Sequence, residues 1–254
     1  MKLKLNTLRV LFAALFLLAA MSISVVAVPQ GPDTISIDSS GNRSEGTEGV
    51  QIPAQAGNVS ALTISDTRIT SHWAGFYGNV SGSVTLQDAA NNTFFDWSIA
   101  TPLGEVYASN NTVVTWADIK CENLTNNGTH PKWNHNGTTL NRFFNINNTE
   151  TDTFVNTFNW TYANASGFDV GSVHIGPEQR CPMAFSYVNG GMQDLSFRTV
   201  LLTDNQSIVF TGLIEADKDG FRTGADLHDF QLLAADDGVY NLATTPYYFF
   251  VELQ

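Results

Sequence analysis

The chain has 254 residues, 43% of them apolar and only 14% charged, with 24 acidic side chains against 12 basic ones. A soluble protein is ordinarily about 25% charged, so this surface takes its polarity elsewhere, from 23 Asn, 26 Thr and 18 Ser. The apolar fraction is enough for a core and excludes an intrinsically disordered chain; a formal charge of −12 repels phosphate and excludes nucleic acid as a partner; and 2 Cys cannot make a disulfide-dense miniprotein.

Residues 1–28 read as a signal peptide. Lys2, Lys4 and Arg9 form a positive start, and Val10 to Val28 carries no charge. Small residues at Val25-Val26-Ala27 then precede Pro29. The alternative is a retained membrane anchor, but Ser22 and Ser24 interrupt the run and the small residues stand where a peptidase cuts. Later in the chain no apolar run is long enough for a second span. Cleavage removes three bases and no acid, so the mature chain has 9 bases against 24 acids, a charge of −15.

Residues 29–50 are rich in Ser, Gly, Asp and Glu and read as a flexible tether with one β-like island, Thr34-Ile35-Ser36-Ile37. From residue 51 to 254 period-2 alternation dominates, the mark of half-buried strands. In Tyr77 to Leu86, Val80, Gly82, Val84 and Leu86 share one face and Asn79, Ser81, Ser83 and Thr85 the other. The turn Asp88–Asn92 leads to a partner strand with Phe95, Trp97 and Ile99 on one face, so the two runs predict a hairpin.

Residues 115–165 read as an irregular insertion. Thr115 is placed to cap a short helix, Asn123 to Thr138 reads as a long loop, and Thr149 to Phe158 predicts a second short helix with Phe154 and Phe158 on one face. Strands resume at 167–175, 184–188, 197–202 and 207–215, the last two flanking the turn Thr203–Gln206 as a hairpin. The terminal run Tyr247-Tyr-Phe-Phe-Val251 is apolar on both faces and predicts a strand covered on both sides, within a sheet or against another subunit. Short strands and few helical patterns predict an all-β fold, a single β-sandwich domain over 51–254.

Twelve Asn-x-Ser/Thr sequons occur, at Asn42, Asn58, Asn79, Asn91, Asn110, Asn123, Asn127, Asn136, Asn147, Asn159, Asn164 and Asn205. Composition alone would place about four, so the motif is enriched about threefold and predicts N-linked glycans on an exported surface. Cys121 and Cys181 are the only cysteines, and in an oxidising compartment they pair most simply as one disulfide. Closing that loop stabilises by about 3–4 kcal/mol in the chain-entropy model.

Three features bear on binding and catalysis. Glu215, Asp217, Asp219 and Asp226 have the spacing of a calcium loop with Gly220 at its turn, although the first position is Glu and a strand pattern precedes it; the competing reading is a solvated acidic turn. Trp73, Phe76 and Tyr77 could form a carbohydrate-stacking platform, against which stands ordinary core packing of aromatics at a strand start. His130 and His135 share the Asn-rich loop at a spacing poor for zinc and read as exposed loop residues. No nucleophile elbow, His-Glu-x-x-His or phosphate-cradling loop occurs, so no catalytic residue is assigned.

The stretches Trp73–Gly82, Phe95-Asp-Trp97 and Gly104–Ser109 resemble a group of uncharacterised secreted archaeal cell-surface glycoproteins. Leu201–Asn205, Asp229-Phe-Gln231 and Tyr247–Glu252 resemble the same group. The resemblance implies an archaeal surface protein and carries no activity. The resulting expectation is a non-enzymatic surface glycoprotein, a subunit of an extracellular layer or filament, which pairs strands with itself or with other surface proteins through residues 33–38 or the C-terminus. The alternatives are a carbohydrate-binding adhesin and a secreted glycan hydrolase, whose paired carboxylates need not be close in sequence.

Overall fold

The structure, a computed structural model, describes residues 28–41, 51, 55–65, 67–98, 102–125, 136–162, 166–191, 196–224, 227–237 and 244–253. The signal segment up to residue 27 lies outside them, as do Asn42, Asn127, Asn164, His130, His135 and Asp226. Among the described residues no helix is long and apolar enough to cross a membrane.

The fold is all-β. Its strands are β1 (Trp73–Gly78), β2 (Ser83–Gln87), β3 (Thr93–Ser98), β4 (Gly104–Ser109), β5 (Lys120–Cys121), β6 (Trp160–Thr161), β7 (Phe168–Val170) and β8 (Val173–Ile175). They continue with β9 (Pro182–Phe185), β10 (Arg198–Thr203), β11 (Ile208–Leu213), β12 (Lys218–Asp219), β13 (Leu227–His228), β14 (Phe230–Ala235) and β15 (Tyr248–Leu253). Two short helices, α1 (Gly137–Phe143) and α2 (Phe154–Thr157), fall in the expected insertion.

The main sheet runs β15-β4-β11-β10-β9-β6, with β5 pairing the far end of β10. Its pairs are antiparallel. All six residues of β11 are buried, so the sheet is covered on both faces at its centre. On one face Ile208 and Phe210 of β11, Leu201 of β10 and Val106 and Ala108 of β4 meet Leu232, Ala234 and Ala235 of the antiparallel β1–β14 pair, together with Leu140, Phe144, Phe154 and Phe158 from the helical insertion. On the other face Val209, Leu213, Val200, Leu202 and Tyr107 meet Val170 and Ile175 of the β7–β8 hairpin, with Val114, Ile119 and Tyr162. The period-2 alternation of β10 and β11 is therefore read by apolar cover on each side rather than by water.

Phe210 is the hub of the first face. Its ring lies 6.1 Å from Phe158, 6.3 Å from Phe154, 6.5 Å from both Phe144 and Trp73, and 5.8 Å from Tyr247. Two positions away, Gly212 lets β14 come close, since a Cβ there would press on Leu232 at 3.3 Å. The backbone N–H of Leu233 crosses between the layers to Thr199 Oγ1 at 3.0 Å.

The disulfide joins Cys121 and Cys181 as expected. Its place in the sheet explains its use: β9 pairs β10 as far as Met183↔Val200, and β5 then takes over along the same side at Cys121↔Leu202. The bridge ties two chain segments that share one edge of β10.

Several expectations are revised. The run from Tyr77 to Leu86 is broken rather than one strand: β1 ends at Gly78, and the Val80 N–H turns to the buried Asp229 carboxylate at 2.8 Å. The helix expected at Thr115 is a single 3-10 turn, Trp116–Asp118, with no side-chain cap. Residues 167–175 form a tight hairpin around Gly171, which has φ +58°. The last two residues of the expected long loop, Gly137 and Thr138, begin α1, whose N-cap Asn136 and Thr139 exchange side chain–backbone bonds in a capping box. The island at 34–37 joins no ladder among the described residues; the bridge made by its segment is Gln30 with Val251.

Truncating the hub leaves a cavity that five surrounding rings cannot close. Phe210→Ala is expected to cost about 3–5 kcal/mol and to lower the melting temperature by about 10 °C, read by circular dichroism.

Candidate functional site

The densest unusual chemistry lies where β15 joins β4. The register sets Glu105 opposite Glu252, Tyr107 opposite Phe250 and Ser109 opposite Tyr248, all on one face of the sheet. Glu105 and Glu252 are each only 3% exposed and Tyr107 is fully buried. Like charges directly opposite one another destabilise a strand pair, so this junction must manage its charge.

The hydrogen bonds show how. Tyr107 Oη lies 3.3 Å from Glu105 Oε2 and 3.2 Å from Glu252 Oε2. A phenol has one proton to donate, so it satisfies both carboxyls only when one of them is protonated and donates in return. Glu252 also accepts the Gly171 N–H at 2.9 Å, a contact that favours its charged form. Glu105 lacks such a donor, and burial, reinforced by the Glu252 charge, pushes its pKa up to about 8. Burial raises Glu252 as well, opposed by Gly171 and Tyr107. The phenol itself is pushed upward by burial and by both acids. The geometry calls for one shared proton among Glu105, Tyr107 and Glu252, side chains buried between the two strands and their cover.

The same junction demands Gly104. It has φ +115°, and a Cβ there would run into the Glu252 carbonyl oxygen.

The other side of β15 is the edge of the sheet. The Val251 N–H donates to Gln30 O at 2.8 Å, and the Gln30 N–H donates to Val251 O at 3.1 Å. Alternation along the strand then turns the backbone groups of Phe249 and Leu253 outward too. Among the described residues only Gln30 pairs with that edge. Beyond Gln30 the chain leaves the edge, with Ile35 61% and Ile37 83% exposed. The terminal strand is thus a sheet edge with half-buried faces, rather than fully covered on both sides.

The residues singled out from the sequence are dispersed. Glu215 pairs with Arg198 at 2.9 Å, Asp219 accepts from Asn189 Nδ2 at 2.9 Å, and exposed Asp217 stands at φ +51° with its N–H on Asp229 Oδ1. Asp226, the fourth residue of the expected calcium loop, lies outside the described residues. No three His, Cys, Asp or Glu side chains among the described residues could hold a metal ion. Trp73 packs against Phe154 at 5.0 Å and donates Nε1–H to the Asp152 carbonyl at 2.7 Å. Phe76 packs on Phe249, and Tyr77 on Phe221 and His228 beneath the Arg222 guanidinium. These aromatics serve packing and do not present a shared open face.

Of the sequon asparagines, Asn58, Asn79, Asn91, Asn123, Asn147 and Asn159 are exposed and Asn110, Asn136 and Asn205 half-buried. Sequence reasoning missed the Glu105–Tyr107–Glu252 group; the available signal was an acid inside each of two otherwise apolar strands, Gly-Glu-Val-Tyr and Phe-Val-Glu-Leu. The chain matches no protein-family model, no curated protein and no solved structure.

Two outcomes follow from the junction. The folded chain keeps the Glu105 proton up to about pH 8, while the ordinary value is 4.5, so the folded state binds the extra proton between those limits. The Glu105 contribution to stability is therefore full below the lower limit, declines as pH rises through the window by about 3–5 kcal/mol at most, and is level above it. Thermal melts should show this slope, and Glu105→Gln should flatten it while retaining the fold at pH 8.5. Gly104→Ala, strained in backbone and blocked by Glu252, should cost about 2–4 kcal/mol in urea unfolding.

Proposed function

We propose that this chain is an exported, N-glycosylated surface protein that acts structurally, as a subunit assembling by strand pairing through its N-terminal segment. The observation that carries the reading is the open edge of β15, met by Gln30 alone among the described residues and followed by the exposed stretch Asp33-Thr-Ile-Ser-Ile-Asp38, whose two Ile alternate with polar residues. An open edge and an exposed segment of β-like alternation in one molecule are the two halves of strand addition. The dense sequons, with exposed asparagines at Asn58, Asn79, Asn91, Asn123, Asn147 and Asn159, support an outer-surface address, as does the leader-like sequence of residues 1–28. The buried state of Glu105 and Glu252 favours this reading over a glycan hydrolase, whose acids must reach a sugar.

Deleting residues 29–40 is the test. The intact protein should elute as an assembly in size-exclusion chromatography with light scattering, and the deletion variant as a monomer with an unchanged circular dichroism spectrum. An intact chain that is monomeric at every concentration, or a deletion variant of unchanged size, defeats the reading.

A further inference from the structure

Three of the twelve sequons share one tripeptide. Asn91-Asn-Thr, Asn110-Asn-Thr and Asn147-Asn-Thr are identical in sequence and differ only in what the fold does with them. A glycan acceptor has to present its carboxamide nitrogen and the hydroxyl two residues on to one enzyme. The folded chain treats the three differently.

Asn110 is half-buried, and its carboxamide oxygen is buried without a hydrogen-bond partner among the described residues. The next residue is fixed as well: Asn111 Nδ2–H donates to Ser207 Oγ at 3.1 Å, and Asn111 Oδ1 accepts the Val113 N–H at 3.2 Å. Asn91 is exposed at φ +65°, but its Thr93 already belongs to β3, where it pairs with Gln87 and its hydroxyl accepts Gln87 Nε2–H at 3.2 Å. At Asn147 the Thr149 N–H and Oγ1–H both donate to Asn147 Oδ1, at 3.1 and 3.0 Å, closing an Asx turn. Asn147, Asn148 and Thr149 are all exposed there. The turn takes up both lone pairs of the carboxamide oxygen, while Nδ2 has no partner among the described residues.

This turn is braced by the two helices. Buried Asn141 of α1 accepts the Phe154 N–H of α2 at 2.9 Å and donates Nδ2–H to Asn148 Oδ1 at 2.8 Å, and the Glu150 N–H bonds to the Asn147 carbonyl at 2.9 Å. Asn123 repeats the geometry. The Thr125 N–H and Oγ1–H donate to Asn123 Oδ1 at 2.9 and 2.6 Å, and both residues are exposed. Its brace is buried Glu122, whose N–H donates to Leu201 O at 3.0 Å and whose Oε1 accepts the Asn123 N–H at 2.8 Å. A turn held this way spares an enzyme the cost of ordering or bending the acceptor. Between β5, which Asn123 follows, and β15 stand β10, β11 and β4, so a glycan at Asn123 leaves the β15 edge uncovered.

We propose that Asn147 and Asn123 are the acceptor sites that the folded protein presents to an oligosaccharyltransferase, and that the fold withholds the identical tripeptide at Asn110. The donor is a sugar linked through phosphate to a membrane lipid. Nδ2 bonds to the anomeric carbon as the bond from that carbon to the phosphate oxygen breaks; the phosphate leaves with the electron pair, and Nδ2 gives one proton to a base of the enzyme. The assignment rests on the N-glycosylated reading above and names its sites. To test it, the protein made without glycans is incubated with transferase-bearing membranes and lipid-linked donor, and each site is followed by glycopeptide mass spectrometry. Short synthetic peptides centred on each sequon give the reference rates. Relative to those peptides, the folded protein should react about tenfold faster at Asn147 than at Asn110. Asn148→Ala keeps the sequon and removes the bond to Asn141; it should slow Asn147 severalfold relative to its own peptide, with Asn123 and the circular dichroism spectrum unchanged. No transfer to the folded protein, equal rates at Asn147 and Asn110, or an Asn148→Ala variant that reacts normally overturns the assignment, and the glycosylated reading survives if protein from its own cells carries glycopeptides. If that protein carries none, both fall.

Discussion

Everything in this molecule is arranged around a strand that has no solvent side. With all six residues of β11 buried, the main sheet cannot use the simple scheme of one wet face and one dry face. It must find cover twice. The β1–β14 pair and the helical insertion supply one cover, the β7–β8 hairpin and the Trp116 turn the other. This constraint accounts for the insertion between β5 and β6. It looks irregular along the chain, yet it delivers Leu140, Phe144, Phe154 and Phe158 to the ring cluster around Phe210. The disulfide secures that detour where the chain leaves and rejoins the β10 edge.

Double cover also explains the buried acids. A glutamate on the second face of β4 or β15 meets the β7–β8 hairpin instead of water, so its charge must be neutralised or hydrogen-bonded in place. Tyr107 and the Gly171 N–H do this for Glu252, and a retained proton does it for Glu105. Asp229 solves the same problem differently. It is buried and accepts the Val80 and Asp217 N–H groups, while its own backbone bonds to Gly78 and Glu215. One carboxylate thereby joins the end of β1, the acidic turn and the start of β14. The acids that looked like metal ligands along the chain are engaged with Arg198, Asn189 and this anchor.

What the sequence made legible was local. The β2–β3 and β10–β11 hairpins were readable because alternation and turn residues sit within a dozen positions of one another, and the cysteine pairing because only two candidates exist. Helix α1 was hidden because its capping box is built from Asn136 and Thr139, residues that everywhere else in that stretch signal loop. The break after Gly78 was hidden because its cause, Asp229, lies 149 residues from Val80. The Glu105–Glu252 register was beyond reach for a like reason: each strand alone shows one acid among apolar neighbours, and only the pairing of β4 with β15 turns two acids into one site. Trp73 and Phe76 looked like a platform because exposure is not written in residue type, and their faces are taken up by Phe154 and Phe249.

The low charge of the chain takes its meaning from this division of surface. Mutual repulsion of chains at a formal −12 would oppose any close contact spread over the whole molecule. Among the exposed apolar places are the Ile35/Ile37 segment, Val59 to Ile64, and the Val84/Leu86/Phe95/Trp97 face of the hairpin, where Asp96 is the one acid within β2 and β3. Sequon asparagines stand at the tip of the hairpin and, at Asn79, just before its first strand. Sugars at both places would leave the flank uncovered while shielding the ends. Under the assembly reading this makes contact directional. Two like-charged, sugar-coated molecules then approach best where an exposed apolar segment meets an open sheet edge. Exchanged reciprocally, such a pairing closes a two-fold dimer; passed on from head to tail, it builds a ring or an open chain of subunits.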